Sequence, residues 1–357
     1  MNTKRTALTV GVAGTVAGLA GLALLATPAG AGEAPPALPP ISAQELVQSV
    51  LSTQIPAMSG AVRVEENLGL PLPILPSGAG DGVAARVYTD GTGRGRIQLA
   101  GRMSEKTIIE DGSTLWLWDS ADRSVRKVEH GAGASQKAPE QLADPASAAQ
   151  QLVSAMQKDS TVTVDGTARV AERPVYQLVL TPKPTEKTLL REVRVAVDSE
   201  TRVPLRLEVL ANGQADPAVR IGFTEFSPGP QDPGLFRFTP PPGAEVTEHK
   251  PGEAVDPKGA RDLLAQLNPQ VVGEGWDIVL VGKVPANLAS AAQEQTRARG
   301  MDVRNLLSQF AKPVSGPFGT GWVVSTKVGT ALFTVDGRAA IGFVPEQVLI
   351  DALGQVR

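Results

Sequence analysis

Apolar and polar residues alternate along the chain from Gly60 to Thr239, in short runs separated by turn-forming Gly, Asp and Asn. A period of two is typical of strands that bury one face. The runs follow one another too closely for crossover helices, so the pattern predicts an antiparallel sheet of about ten strands. A meander of this length builds a curved sheet with an inside. The predicted strands cover 61–66, 83–88, 96–99, 107–110, 114–118, 125–128, 161–164, 175–180, 189–197, 205–210 and 219–226.

Two helices are predicted beside this sheet. Ser42 and Glu45 have the spacing of a capping box, and Leu46 and Val50 fall on one apolar face of the helix that follows, over 42–55. A cap residue followed by proline at 144–145 marks the start of the second helix. The fold class predicted is mainly β with α: an incomplete antiparallel β-barrel, a curved sheet closed by helices.

The pattern changes beyond a charged, Pro- and Gly-rich linker at 248–258. Residues 260–267 and 286–310 have helical composition. Short apolar runs at 322–326, 331–335 and 339–344 then predict a meander, and a last helix begins at 345–346. We therefore predict a half-barrel domain over 42–247 and a small α+β domain over 259–357, each of ordinary domain size.

The N-terminal segment has the composition of an export signal. Lys4 and Arg5 precede an uncharged stretch whose small residues end at Ala31. These parts predict a signal peptide over 1–31, cut before Gly32, with a Pro/Ala tether over 32–41. An uncleaved anchor is the alternative, because the uncharged run is long enough to span a bilayer. Both place the folded part outside the cytoplasm, secreted or in the cell envelope.

Composition argues against most reaction chemistry. The chain has no cysteine, which excludes disulfides, thiolate metal sites and cysteine nucleophiles. Its two histidines, His130 and His249, lie in polar linkers, and its net charge of −3 does not favour nucleic acid. We expect no enzyme activity, no cofactor and no metal site. Two carboxylates converging in a cleft are the enzymatic alternative that a linear sequence leaves open.

The apolar segment Leu68–Pro76 is the main candidate for a binding feature, since its prolines prevent a regular helix or inner strand. It either plugs the open end of the sheet or forms a movable lid over an apolar cavity. Trp116 and Trp118 share one face of their strand, as core filler or as cavity lining. The candidate cavity or lid residues are Leu46, Val50, Leu70, Leu72, Ile74, Leu75, Trp116 and Trp118.

Four stretches resemble one family in their order and spacing. They are 110–119, 166–182, 195–205, and 223–226 followed by 235–242. Together they resemble the LolA-like lipoprotein-carrier superfamily, which also holds RseB/MucB-type envelope-stress regulators and mycobacterial lipid carriers. The resemblance covers residues 42–247.

This resemblance implies a half-barrel whose apolar cavity accepts acyl chains, with helix 42–55 and the Leu70–Leu75 segment as its lid. The implied partners are acyl chains of a lipid or lipoprotein, or a membrane protein such as an anti-sigma factor or transporter. Carrier and anti-sigma regulator both stay open. The chain departs from the family in its added domain 259–357. The arginine that latches the LolA lid has only Arg63 and Arg96 as candidate counterparts, and there is no cysteine to lipidate.

Overall fold

A computed structural model describes residues 34–69, 83–101, 104–129, 145–249, 269–284 and 311–356. Contacts divide the chain into two units, Met1–Ala37 and Leu38–Arg357. The described residues of the first unit, 34–37, have no regular secondary structure. The second unit contains all the elements discussed below. The predicted signal peptide and the Leu70–Leu75 segment lie outside the described residues.

The described part of the second unit contains three α-helices, three short 3₁₀ helices and eighteen strands. The α-helices are α1 (Ala43–Ser52), α2 (Pro145–Met156) and α3 (Glu346–Gln355). The strands of the first sheet are β1 (Met58–Glu66), β2 (Val83–Thr89), β3 (Gly95–Ala100), β4 (Glu105–Glu110), β5 (Thr114–Asp119), β6 (Ser124–Glu129), β7 (Ser160–Val170), β8 (Arg173–Pro182), β9 (Leu190–Asp198), β10 (Pro204–Ala211), β11 (Val219–Pro228) and β12 (Glu245–His249). Those of the second are β13 (Gln270–Val272), β14 (Val279–Lys283), β15 (Ala311–Gly316), β16 (Gly319–Ser325), β17 (Thr330–Thr334) and β18 (Arg338–Gly342).

The first sheet has twelve strands in the order β12-β6-β5-β4-β3-β2-β1-β11-β10-β9-β8-β7. It is large, curved and not closed into a barrel, which confirms the predicted fold class. All its pairs are antiparallel except β12 with β6, which run parallel. Residues 248 and 249, predicted to begin the linker, are therefore the end of an edge strand.

The period-two alternation separates the two faces of this sheet. Leu178, Val195, Leu207, Ile221 and Val64 form one row in register across β8, β9, β10, β11 and β1. We call this face the helix side, because the apolar clusters on it include side chains of α1 and α2. The opposite face, the outer side, carries charged rows along the same strands.

A charged row on the outer side shows why the register is fixed. Arg220 bonds Glu208 and Glu65 on the two neighbouring strands, each at 2.7 Å. A slip of one residue would turn these charges toward the apolar helix side. The alternation thus determines both the pairing and which side chains meet the helices.

Helix α1 begins as the sequence predicts. The Glu45 backbone N–H donates to the Ser42 hydroxyl at 3.2 Å, and the Ser42 N–H donates to the Glu45 carboxylate at 3.0 Å. At its other end, the Gln150 side chain of α2 donates to the carbonyls of Val50 and Thr53 at 2.8 and 3.1 Å. Carbonyls that have no partner within α1 are thereby satisfied by the second helix.

Strand β7 does not end at 164, where the predicted strand ends, but continues through Asp165-Gly166 to Val170. The register shifts between Val164 and Thr167, so the dipeptide makes a β-bulge inside the strand. The actual turn lies at Ala171-Glu172, which have φ angles of 49° and 63°. A Gly in a strand pattern is compatible with a turn or with a bulge, and only the pairing with the partner strand distinguishes the two.

The second sheet has the order β13-β14-β18-β17-β16-β15. The predicted meander corresponds to β16–β18, and α3 is the predicted last helix. Helix α3 packs Leu349 and Leu353 against Val281, Leu332 and Val323 on one face of the sheet. The short strands β13, β14 and β15 are not anticipated by the apolar pattern.

Contacts of buried and polar groups join the two sheets. The indole of Trp276 is buried in the apolar cluster of α1 and α2, and its N–H donates to the Ser160 hydroxyl at 3.0 Å. The backbone N–H of Leu189 donates to the Phe343 carbonyl at 2.8 Å. The second sheet is thus anchored by an aromatic side chain in the core of the first.

Candidate functional site

The helix side of the curved sheet is the candidate site. Helices α1 and α2 make their extensive contacts with β7, β8, β10 and β11. Leu46 and Val50 of α1 are fully buried there, among Leu178, Val195 and Leu207. This half of the face is ordinary packed core.

The other half of the helix side, over β3–β6, presents a second apolar row. Ile97, Ile108 and Leu117 are in register on three adjacent strands. Ile108 and Leu117 are half-buried, as is Leu99 on the same face. Such a row binds by removing apolar area from water, without directional bonds.

Charged residues border this row: Arg126 of β6 pairs with Leu117, and a charged pair lies beside the row. Lys106 and Asp119, two pairs along the strands from Ile108 and Leu117 and on the same face, form an ion pair at 3.1 Å. The lysine is half exposed, so the pair is screened by solvent. The arrangement places an apolar floor beside a polar margin, which suits a molecule with a hydrocarbon part and a polar end.

Trp116 and Trp118 lie on the outer side, opposite Leu117 in β5. Trp116 packs against Phe238, with ring centroids 5.5 Å apart. Its indole N–H donates to Asp111 at 3.2 Å. Partial burial raises the pKa of Asp111, but hydrogen bonds from Ser113, Trp116 and Thr114 outweigh it and lower that pKa.

The segment after β11 packs on the face of the sheet that carries Trp116 and Trp118. Phe236 in this segment is buried, beneath the Arg94 guanidinium at 5.6 Å from the ring. The chain then continues past Trp116 to pair β12 with β6. The outer side of β3–β6 is thus covered by the closing segment of the same chain.

The structure therefore separates the predicted site residues into three groups. Leu46 and Val50 lie in the helix-side core. Trp116 and Trp118 lie on the other face of the sheet and do not meet them. Leu70, Leu72, Ile74 and Leu75 lie outside the described residues.

The two candidate counterparts of the lid-latching arginine, Arg63 and Arg96, both point to the outer side. Arg63 pairs with Gly222, two positions along the strands from the charged row, and Arg96 donates to the Leu235 carbonyl at 3.3 Å. Neither arginine is on the face that carries the helices.

The row Ile97, Ile108 and Leu117 was missed by sequence reasoning. The sequence does contain a sign of this row, because the three residues are the apolar positions of strands in which apolar and polar residues alternate. However, alternation defines two faces and does not say which one is inside. The large aromatic residues Trp116 and Trp118 drew attention to the opposite face of the same strands.

Two carboxylates, Asp198 and Glu200, converge on Arg173. The guanidinium contacts Asp198 at 2.7 and 2.9 Å and Glu200 at 2.7 Å. Burial raises the pKa of Asp198, but hydrogen bonds from Arg173 and Thr201 outweigh it and lower that pKa. A glycosidase acid needs the opposite shift, so this group is a structural ion pair.

Within the described ranges, no three or more His, Asp or Glu side chains are grouped so as to hold a metal ion. The same ranges contain no helix with the length and apolar character needed to cross a bilayer.

The fold and this face define the class of the protein by architecture: a mainly β protein with a large, open, curved sheet that carries helices on one side, extended by a second, smaller sheet with its own helix. No family model and no curated protein sequence matches the chain. Among solved structures, it is similar to MucB at 17% identity, with 86% of this chain and 96% of that chain covered and a TM-score of 0.41.

Two further solved structures share lower similarity. A LolA superfamily protein from Nitrosomonas europaea is 11% identical, with 56% of this chain and 99% of that chain covered and a TM-score of 0.21. A conserved protein from Thermus thermophilus is 14% identical, covers 58% of this chain over 99% of its own, and has a TM-score of 0.34.

Proposed function

We propose that the protein is an extracytoplasmic carrier that holds the acyl chains of a lipid or lipoprotein against the helix side of its curved sheet, without catalysis. The observation that carries this proposal is the row Ile97, Ile108 and Leu117. It continues the apolar face of the sheet beyond the strands on which α1 and α2 pack, and two of its members are half-buried rather than sealed in the core.

The chemistry of the row suits an acyl chain. Burying each methylene contributes about 0.8 kcal/mol, so a chain of ordinary length supplies on the order of 10 kcal/mol before the entropy of ordering is subtracted. The row runs across three adjacent strands, a linear arrangement along which an extended hydrocarbon can lie. The margin at Lys106 and Asp119 offers polar contacts for a head group.

The direct test is native mass spectrometry and lipid extraction of the purified protein. We expect reproducible acyl species. The absence of lipid, together with tight binding to the extracytoplasmic segment of a membrane anti-sigma factor, would contradict the carrier and support the regulator.

The face that binds can be identified with two variants in one strand. Leu117→Gln changes the helix side of β5, and Trp118→Gln changes the outer side; both side chains are half-buried. We expect Leu117→Gln to reduce bound lipid severalfold while the folded protein persists, because it puts an amide on the apolar floor. Lipid loss in Trp118→Gln alone would show that the tryptophan face is the binding face.

A further inference from the structure

The second sheet has one face that is apolar and exposed. Nine large hydrophobic side chains are exposed in the described part of the chain, and eight of them belong to this sheet and its margins. These are Val271, Ile278, Leu280, Trp322, Phe333, Val335, Ile341 and Phe343. We call this set the open face.

Register shows that the open face is continuous. Val271, Leu280 and Ile341 are opposite one another on β13, β14 and β18. Phe333 and Trp322 are opposite one another on β17 and β16. On the opposite face of the same strands, Val281, Val323 and Leu332 are buried against α3, so the helix covers only that face.

Within the described strands, the open face has no charge. Besides the exposed residues just named, its register positions along β13–β18 carry only Gly, Ala, Pro, Ser, Thr or Val. Scattered apolar side chains are normal on a protein surface, whereas a contiguous set marks an interaction site. A partner for this face must bring apolar area rather than opposite charge.

We propose that the open face pairs with the open face of a second copy of this chain. Its exposed side chains amount to roughly 700 Å² per copy, close to the ~800 Å² per partner of a stable interface. A surface without charge is complementary to itself, as a two-fold contact requires. Two twisted sheets can stack about 10 Å apart with their side chains interdigitated.

A lipid surface is the other partner that apolar area could fit, and the charge pattern disfavours it. Surfaces that bind membranes combine apolar side chains with Lys or Arg, which attract anionic head groups. The described strands place neither residue on the open face. Lys312 and Lys283 are on the side of the sheet that α3 covers.

The test is sedimentation equilibrium of the full chain over a concentration series. We expect a dimer whose Kd rises at least about tenfold in Ile341→Asp, because a two-fold interface buries the added charge twice. Val246→Asp is the matched control: Val246 is a 43% exposed valine outside the open face, on β12. It should leave the Kd unchanged. Phe333→Asp repeats the test if the first variant folds poorly.

Three results would overturn the proposal. One is a dimer that Ile341→Asp and Phe333→Asp leave intact while circular dichroism shows native strand content. Another is a monomer at every concentration in the series. The third is a monomer that sediments with phosphatidylglycerol vesicles, which would assign the open face to a lipid surface.

Discussion

At the residue scale, the turn between β2 and β3 depends on one carboxylate. Asp90 accepts hydrogen bonds from the backbone N–H groups of Thr92 and Arg94 at 2.8 and 3.0 Å. It also accepts from the Thr92 hydroxyl at 2.7 Å and from the Arg94 guanidinium at 2.6 Å. Partial burial raises the pKa of Asp90, but these bonds outweigh it and lower the pKa to about 2.

This pKa gives a signed prediction. Because the folded-state pKa lies below the unfolded value, the carboxylate stabilises the protein fully above about pH 4 and loses that effect as pH falls toward about 2. Asp90→Asn should therefore lower the free energy of unfolding by about 1–2 kcal/mol at about pH 7. Urea unfolding at several pH values should show the difference shrinking below about pH 4. Asp122→Asn, at an exposed turn position, should change stability by under about 0.5 kcal/mol.

Local contacts of single residues can be predicted from the sequence, whereas contacts between residues far apart in the chain cannot. The pair Ser42 and Glu45 is local, and its geometry follows from a spacing of three residues. Trp116 finds its aromatic neighbour in Phe238, far along the chain, and no short-range pattern announces such a contact. The alternation in β5 correctly placed Leu117 and Trp116 on opposite faces of the sheet. It did not show that the closing segment, through Phe238, packs on the Trp116 face.

At the element scale, helix α1 supports the helix side through its first turn. Ser42 is the N-cap of this helix, and Leu46 and Val50 in the turns that follow are buried in the core. Ser42→Ala removes a side-chain acceptor for the first-turn N–H groups, and we expect it to cost about 1 kcal/mol in thermal or urea unfolding. Ser52→Ala is the matched control, since its exposed hydroxyl donates to the Gln48 carbonyl near the other end. An equal loss in both variants would contradict a capping role.

Strands were predicted well where hairpin neighbours pair, as in β4 and β5 across Asp111-Gly112. The prediction failed where pairing is distant. Strand β12 adds in parallel to β6, more than a hundred residues earlier in the chain, and its five residues carry no alternation distinct from a linker. Short strands such as β13 owe their pairing to a partner strand rather than to their own composition.

At the scale of the whole molecule, Trp276 couples the two sheets. Trp276→Ala would leave a cavity in the core cluster of α1 and α2, and we expect a loss of about 3–5 kcal/mol. Trp276→Phe keeps most of the ring volume and removes only the bond to Ser160, so its cost should be about 1–2 kcal/mol. Calorimetry should show one transition in the native chain and two in Trp276→Ala. A single transition in all three would show that other contacts hold the sheets together.

The pairing of β1 with β11 has a consequence for how the chain is made. Residues 58–66 occupy the middle of the first sheet, but their partner at 219–228 leaves the ribosome about 160 residues later. The local hairpins β2–β6 and β7–β10 can form during that interval, because their contacts are short in sequence. Strand β1 has only β2 beside it meanwhile, and its other edge is open to wrong partners. The centre of the sheet is therefore completed last, and the open edge of β1 is exposed to wrong pairing until β11 is made.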